Sequence, residues 1–258
     1  MRCVVVLALV AGVGGCASGK SAPSDSAVVG NNDAAIDSNG CAMQPCSILP
    51  QCGCNGNTAC DVDIMDQVGT TCRSINAAGR ETASCTIPNE CDRGFVCLGG
   101  SAFAACKKYC TDDVDCGAPR GKCIYTITSG NTAIAGIPNA CSSNCEPTDT
   151  TAAGCPAMMK CTLFAVTKNM VSVKLADCSP AGTEVQGGDC TNPNNTSAGV
   201  EARCANGFQC VKLGLETTFK CRRICSAPGT MTGCGTNMCT GFNDAHTIGA
   251  VTYGVCGP

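Results

Sequence analysis

The stretch Cys110-Thr-Asp-Asp-Val-Asp-Cys116-Gly-Ala-Pro-Arg-Gly-Lys-Cys123, closed after seventeen more residues by Cys141, is the part of the chain whose reading decides the fold. Two short cysteine spacings rich in turn-forming residues, followed by a longer gap, predict a disulfide-stapled turn that leads into a small β-hairpin. The rest of the chain can be measured against that unit.

The chain has 258 residues, with no Trp, 3 Tyr and 6 Phe. Aromatic side chains normally supply much of a buried core, so a chain with 3% aromatic residues has little material for a deep one. Cysteine takes that place. The 28 Cys are about 11% of the residues, the density of a secreted disulfide scaffold. Zinc ribbons, thioredoxins and iron–sulfur sites use cysteines separated by two residues, and no such pair occurs here. With a single His, mixed Cys and His zinc sites are also disfavoured, so neither a metal nor a cofactor is expected. An oxidised cysteine framework requires a compartment outside the cytoplasm. The net charge of -3 argues against a nucleic-acid partner.

The spacing of Cys110, Cys116, Cys123 and Cys141 recurs. Sets of four follow the same order at Cys46, Cys54, Cys60, Cys72; at Cys85, Cys91, Cys97, Cys106; at Cys145, Cys155, Cys161, Cys178; at Cys190, Cys204, Cys210, Cys221; and at Cys225, Cys234, Cys239, Cys256. Cys41 and Cys52 remain, and they can pair with each other. In every set the inner gap is four to six residues, whereas the outer gaps run from five to seventeen. A fixed turn with variable loops fits this pattern, because loop length costs little free energy once the ends are held. Linkers of three residues join the second set to the third, the third to the fourth and the fifth to the sixth; the other two have eleven or twelve. The chain therefore divides at residues 41–141 and 142–258 into two tandem halves, for which duplication is the economical explanation. Pairing of first with third and second with fourth Cys is the expectation, since it ties turn and hairpin into one knot, although four cysteines allow three pairings. A loop of about 15 residues closed in this way restricts the unfolded chain by about 3 kcal/mol.

Within the units, Thr162–Val166 with Val171–Leu175, and Ile124–Thr128 with Thr132–Ile137, predict hairpins around polar turns. Thr247–Val255 predicts a closing strand. Ala102–Lys108 predicts two helical turns at most. Gly94 and Gly207, each midway between the second and third Cys of its set, are expected to need positive φ.

At the N-terminus Met1-Arg2 precedes an apolar run from Cys3 to Val13, too short to span a bilayer. Residues 1–15 therefore predict a cleavable signal. The sequence Val13-Gly14-Gly15-Cys16 resembles a bacterial lipobox, with Val in place of the more usual Leu. The resemblance implies that Cys16 is acylated and anchors the chain in a membrane, and Ala17 after it implies outer-membrane sorting. Residues 16–40 then serve as the lipidated Cys with a flexible tether, whose coil spans about 25 to 30 Å. Together with the Asp-rich Cys110–Cys116 turn and the Cys-x-x-Gly-x-x-Cys turns, this resembles the cysteine-rich lipoproteins of myxobacteria, with disulfide modules similar to Dickkopf-like and EGF-like repeats. These motifs carry no catalytic residues to transfer.

Few residues are candidates for chemistry. His246 near Asp244 is the one available base, without a Gly-x-Ser-x-Gly nucleophile, and is expected as an exposed loop residue. Asp112, Asp113 and Asp115, and likewise Asp61, Asp63 and Asp66, offer oxygens to calcium or serve as turn formers. Lys107-Lys108 and Arg222-Arg223 occupy matching links and present either solvated charge or a face for an acidic polysaccharide. Lys168 or Arg120 would be the bait of a protease inhibitor.

The expected fold is small and disulfide-rich, with tandem four-cysteine modules, short β-hairpins, little helix and no large hydrophobic core. The expected role is non-enzymatic, structural or binding, in the envelope at the outer membrane, with a surface protein or polysaccharide as partner. A protease inhibitor and a calcium-dependent adhesion module are the alternatives.

Overall fold

The computed structural model describes residues 46–63, 69–81, 83–100, 103–129, 132–151, 154–168, 170–191 and 202–258. The expected signal, Cys16, the expected tether, Cys41 and Asp66 lie outside the described residues. The chain is a small disulfide-rich β protein. Its strands are β1 (Thr58–Val62), β2 (Thr70–Ser74), β3 (Phe95–Gly100), β4 (Phe103–Cys110), β5 (Cys123–Tyr125), β6 (Thr128–Ser129) and β7 (Thr132–Ala133), then β8 (Asn139–Cys141), β9 (Met159–Lys168), β10 (Val171–Pro180), β11 (Phe208–Val211), β12 (Lys220–Ser226), β13 (Cys239–Ile248) and β14 (Val251–Cys256). Helical structure among the described residues consists of two 3-10 turns, Pro88–Glu90 and Asp113–Cys116, and no helix there is long and apolar enough to cross a membrane.

In all six sets the first Cys is bonded to the third and the second to the fourth. Cys52 is also in a disulfide. The register explains the unit. Third and fourth Cys stand opposite each other on antiparallel strands in every set: Cys60 with Cys72, Cys97 with Cys106, Cys123 with Cys141, Cys161 with Cys178, Cys210 with Cys221 and Cys239 with Cys256. Opposed residues project to one face of a hairpin. Each therefore bonds back to the preceding turn, and the two bridges stack side by side. In the third set Cys110, Cys116, Cys123 and Cys141 form a buried cluster by themselves, and Cys190, Cys204, Cys210 and Cys221 do so in the fifth. In the second, third, fifth and sixth sets cystine makes up the buried cluster of the unit.

The sheets correspond between the halves. β3-β4-β8-β5 form one four-stranded sheet and β11-β12-β14-β13 the other, while β1-β2 and β9-β10 are separate two-stranded hairpins. Isolated bridges fall at matching places as well, Gly79 with Cys91 and Glu184 with Cys204 in parallel, Ser84 with Ala105 and Asp189 with Lys220 antiparallel. The hairpin of the opening set packs on its sheet through a small apolar cluster. Cys46, Cys60, Val62 and Tyr109 contribute in the first half, and Cys145, Cys161, Leu163 and Ile224 occupy the same order in the second. Gly94 and Gly207 have φ of 77° and 79°, the left-handed turn that a side chain would strain.

Several local expectations change. Residues 103–108 are in strand β4 rather than a helix, because Cys106 must face Cys97 across a ladder, and that pairing overrides the helix propensity of Ala and Lys. Thr247–Val255 is the closed end of a hairpin, with Thr247 opposite Thr252 and Gly249 at φ 60°. The hairpin of residues 162–175 extends to ten residues in each strand. The one of residues 124–137 shrinks to two in each, β6 with β7, because Cys123–Tyr125 is drawn away to pair with β8.

Candidate functional site

The most concentrated polar chemistry lies where the two halves meet. Lys107 on β4 is buried, as is Asp177 on β10, and its ammonium pairs with Asp177 Oδ1. Lys107 Nζ also donates to Ser143 Oγ at 2.7 Å and lies 5.9 Å above the Tyr125 ring. Tyr125 donates its hydroxyl to Asp177 Oδ2. The backbone N–H groups of Ser143 and Cys178 add bonds to Oδ1 of 3.0 and 2.7 Å. Burial by itself would raise the Asp177 carboxyl; the Lys107 charge and these hydrogen bonds outweigh burial and hold it below its ordinary value. The cluster is a satisfied buried network that joins β4, β5 and the 142–144 link to β10.

A second network holds the first half. Arg73, one residue past the fourth Cys of its set, pairs with buried Asp61, which also accepts the Tyr109 hydroxyl. The same guanidinium donates to the carbonyls of Cys91 at 2.7 Å, Asp92 at 3.2 Å and Phe95 at 2.9 Å. In the second half the equivalent residues are Thr162 and Ser179, whose hydroxyls bond at 2.6 Å. Asp177, Tyr125 and Arg73 were not distinguished by their sequence. The signal available was position, since each lies within two residues of a Cys that faces its partner across a ladder.

His246 is not an exposed loop residue. It lies on β13, 7% exposed, because the stapled hairpin turns that position inward toward β10, where Nε2 lies 3.3 Å from the Leu175 carbonyl. Burial pushes its pKa down, against the Leu175 carbonyl, which raises it. Asp244 points to solvent and pairs with Lys174. No nucleophile is arranged around His246 among the contacts described.

The acidic turns are occupied by their own backbone. Asp115 Oδ2 accepts from Thr111 N at 2.8 Å, Thr111 Oγ1 at 3.0 Å and Asp112 N at 3.3 Å. Asp112 caps Val114 N at 2.8 Å, and Asp113 holds Lys122 and Cys123 N at 2.8 and 2.9 Å. Glu90 repeats the Asp115 arrangement on Thr86 N and Oγ1, one residue before the second Cys of its own set. Backbone N–H bonds lead in lowering both Glu90 and Asp115. The pattern Thr-x-x-x-Asp/Glu-Cys is thus a cap on the 3-10 turn.

The basic pairs do not act as pairs. Lys107 and Arg222 are buried, whereas Lys108 and Arg223 are exposed, because successive residues of a strand face opposite sides. Arg222 pairs with Glu216 on the loop of its own set, and Lys108 donates to the Asp115 carbonyl at 2.7 Å. Neither suggested bait residue projects freely. Lys168 Nζ donates to the Cys123 carbonyl at 2.6 Å, and Arg120 pairs with Glu146 at 2.8 Å.

Clustered sulfurs mark each unit: Sγ atoms of Cys110, Cys116 and Cys141 lie within 4.8 Å of one another, as do those of Cys190, Cys204 and Cys221. Stacked disulfides bring them together, so the thiolates that zinc would need are already in S–S bonds. Two depressions are open to solvent. One, of about 300 Å³, is lined by Ser47, Ile48, Leu49, Thr70 and Ala135–Pro138, and the other, of about 240 Å³, has Arg223 as its sole ionisable side chain. No protein-family model matches this chain, and neither a curated protein nor a solved structure matches it.

Proposed function

We propose that the chain is a non-enzymatic lipoprotein of the cell envelope, displayed by an acylated Cys16 and the 17–40 tether, with a structural or binding role outside the cytoplasm. One observation carries the reading: six successive units each hold the same pair of stacked disulfides. Such a framework forms and persists in an oxidising compartment and is rare in a reducing cytoplasm, and the lipobox supplies a route outward. The polar side chains with catalytic potential are spent on internal ties, as with His246 against Leu175 and Asp177 against Lys107. The matching bridges and strand orders of the two halves further support their descent from one duplicated ancestor.

The inhibitor and calcium alternatives draw less support, since Lys168, Arg120 and the Asp112–Asp115 carboxylates are engaged at home. Metabolic labelling with radioactive palmitate in a bacterial host tests the anchor. Label should enter the wild-type chain and be absent from Cys16→Ser; label that persists in Cys16→Ser removes the lipoprotein reading.

A further inference from the structure

We propose that Cys54–Cys72 is a thiol-exchange site, the bridge among those described through which the chain most readily forms a mixed disulfide with an external thiol. Among the twelve described bridges, this alone contains an exposed cysteine: Cys72 is exposed and Cys54 half-buried. Both members are buried in Cys46–Cys60, Cys91–Cys106, Cys110–Cys123, Cys116–Cys141 and Cys145–Cys161. Attack on a disulfide needs an in-line path to one sulfur, so accessibility selects which bridge opens first.

The exposure follows from position in the array. The equivalent bridge of the second half, Cys155–Cys178, is half-buried beside the junction: Cys178 Sγ is 3.2 Å from Ser143 Oγ on the link between the halves, and 3.4 Å from the Gly154 carbonyl of its own set, as Cys72 Sγ is 3.8 Å from that of Gly53. Its neighbour Asp177 is covered by Lys107 and Tyr125. At the matching position of the first half stands Thr71, itself exposed, with no described ion pair drawn over it. The bridge that the halves cover at their junction is thus open at the first set.

The chemistry balances with a thiol as the co-reactant. An external thiolate attacks Cys72 Sγ, a new S–S bond forms, the Cys54–Cys72 bond breaks, and Cys54 leaves with the electron pair as a thiolate. A second external thiol can then attack the mixed disulfide, giving one small-molecule disulfide and a reduced Cys54 and Cys72, with the two protons of the thiols transferred to them. Cys54 has a second route. Its sulfur lies within 4.8 Å of those of Cys46 and Cys60, so the thiolate can attack that neighbouring bridge and pass the opening on within the set.

Reduced glutathione under native conditions, followed by alkylation and peptide mapping of the whole chain, is the test. The expected first products carry a glutathionyl group on Cys72, or alkyl label on Cys54 or Cys72, about tenfold faster than on cysteines of the other five sets. Label on Cys46 or Cys60 should appear later and should vanish in the Cys54→Ser, Cys72→Ser double variant. First opening of Cys155–Cys178 or of any bridge in another set, or simultaneous opening of all bridges, overturns the proposal.

Discussion

The two halves share staples, register and strand order, and they differ in the charges placed beside the staples. One residue past the fourth Cys of the middle set stands Lys107 in the first half and Arg222 in the second. Lys107 reaches into the other half for Asp177, whereas Arg222 turns to Glu216 on its own loop. One residue before the fourth Cys of the opening set stands Thr71 in the first half and Asp177 in the second. A cation and an anion therefore face each other at one junction only. Two identical halves would carry the same docking groups at both ends and invite open-ended head-to-tail association. The difference teaches that disulfides set the shape of the unit, while buried ion pairs define which units are neighbours.

The largest separation between halves is expected beside the opening sets. Arg73→Ala would strip buried Asp61 of its counter-ion and leave three carbonyls without their donor, at a cost of about 4 to 5 kcal/mol. Ser179→Ala, at the equivalent place, removes one hydroxyl bond and should cost about 1 kcal/mol. Urea unfolding of the oxidised variants measures both, and equal losses would mean that the two networks are interchangeable. Next in size is the junction. Asp177→Ala leaves the Lys107 ammonium buried without its anion, which should cost about 3 to 5 kcal/mol, against a change within about 0.5 kcal/mol for Thr71→Ala on the exposed counterpart. The double change Lys107→Met with Asp177→Leu should recover most of the loss, because a buried ion pair of this kind is often replaceable by apolar side chains. Failure to recover would show that the hydrogen bonds to Ser143 and Tyr125 matter more than the charge pair.

What could be read beforehand follows from this division. Cysteine spacing reports on covalent geometry, so the units, the tight inner turn, the need for positive φ at Gly94 and Gly207 and the hairpin of residues 162–175 were accessible from local sequence. Asp177 and Lys107 are seventy residues apart, and no spacing within either half announces that they meet. Their side chains are directed by strand alternation set by Cys178 and Cys106, which becomes known only with the register. The same dependence explains the misplacement of His246 and of residues 103–108. A polar residue or an Ala-Lys run looks solvent-facing or helical by composition, yet the opposed third and fourth cysteines decide its face and its conformation. The acidic turns were ambiguous for a different reason, since a carboxylate that caps its own backbone and one that awaits a cation have the same sequence.

The smallest expected contrast is a pH effect confined to the second half. The chain has one His, and burial lowers its pKa in the fold, with Lys174 and Asp244 as the charged neighbours on β10 and β13. A base whose folded pKa lies below its unfolded value of about 6.5 binds more protons when unfolded. Its contribution is therefore fully present above that pH and is lost as the pH falls toward the folded pKa, with a slope of at most about 1.4 kcal/mol per pH unit. Amide exchange in β13 and β14 should accelerate between about pH 6.5 and 5 after correction for the intrinsic rate, while exchange in β4 and β8 should not. His246→Gln should abolish that dependence by removing the titrating group, with the amide still able to donate to the Leu175 carbonyl. If β4 and β8 respond equally in the wild type, the Lys107–Asp177 junction couples the halves tightly enough for them to open as one. If His246→Gln leaves the response unchanged, the titrating group is a carboxylate, and Asp177, held low by Lys107, is not the one, since its contribution disappears only at lower pH.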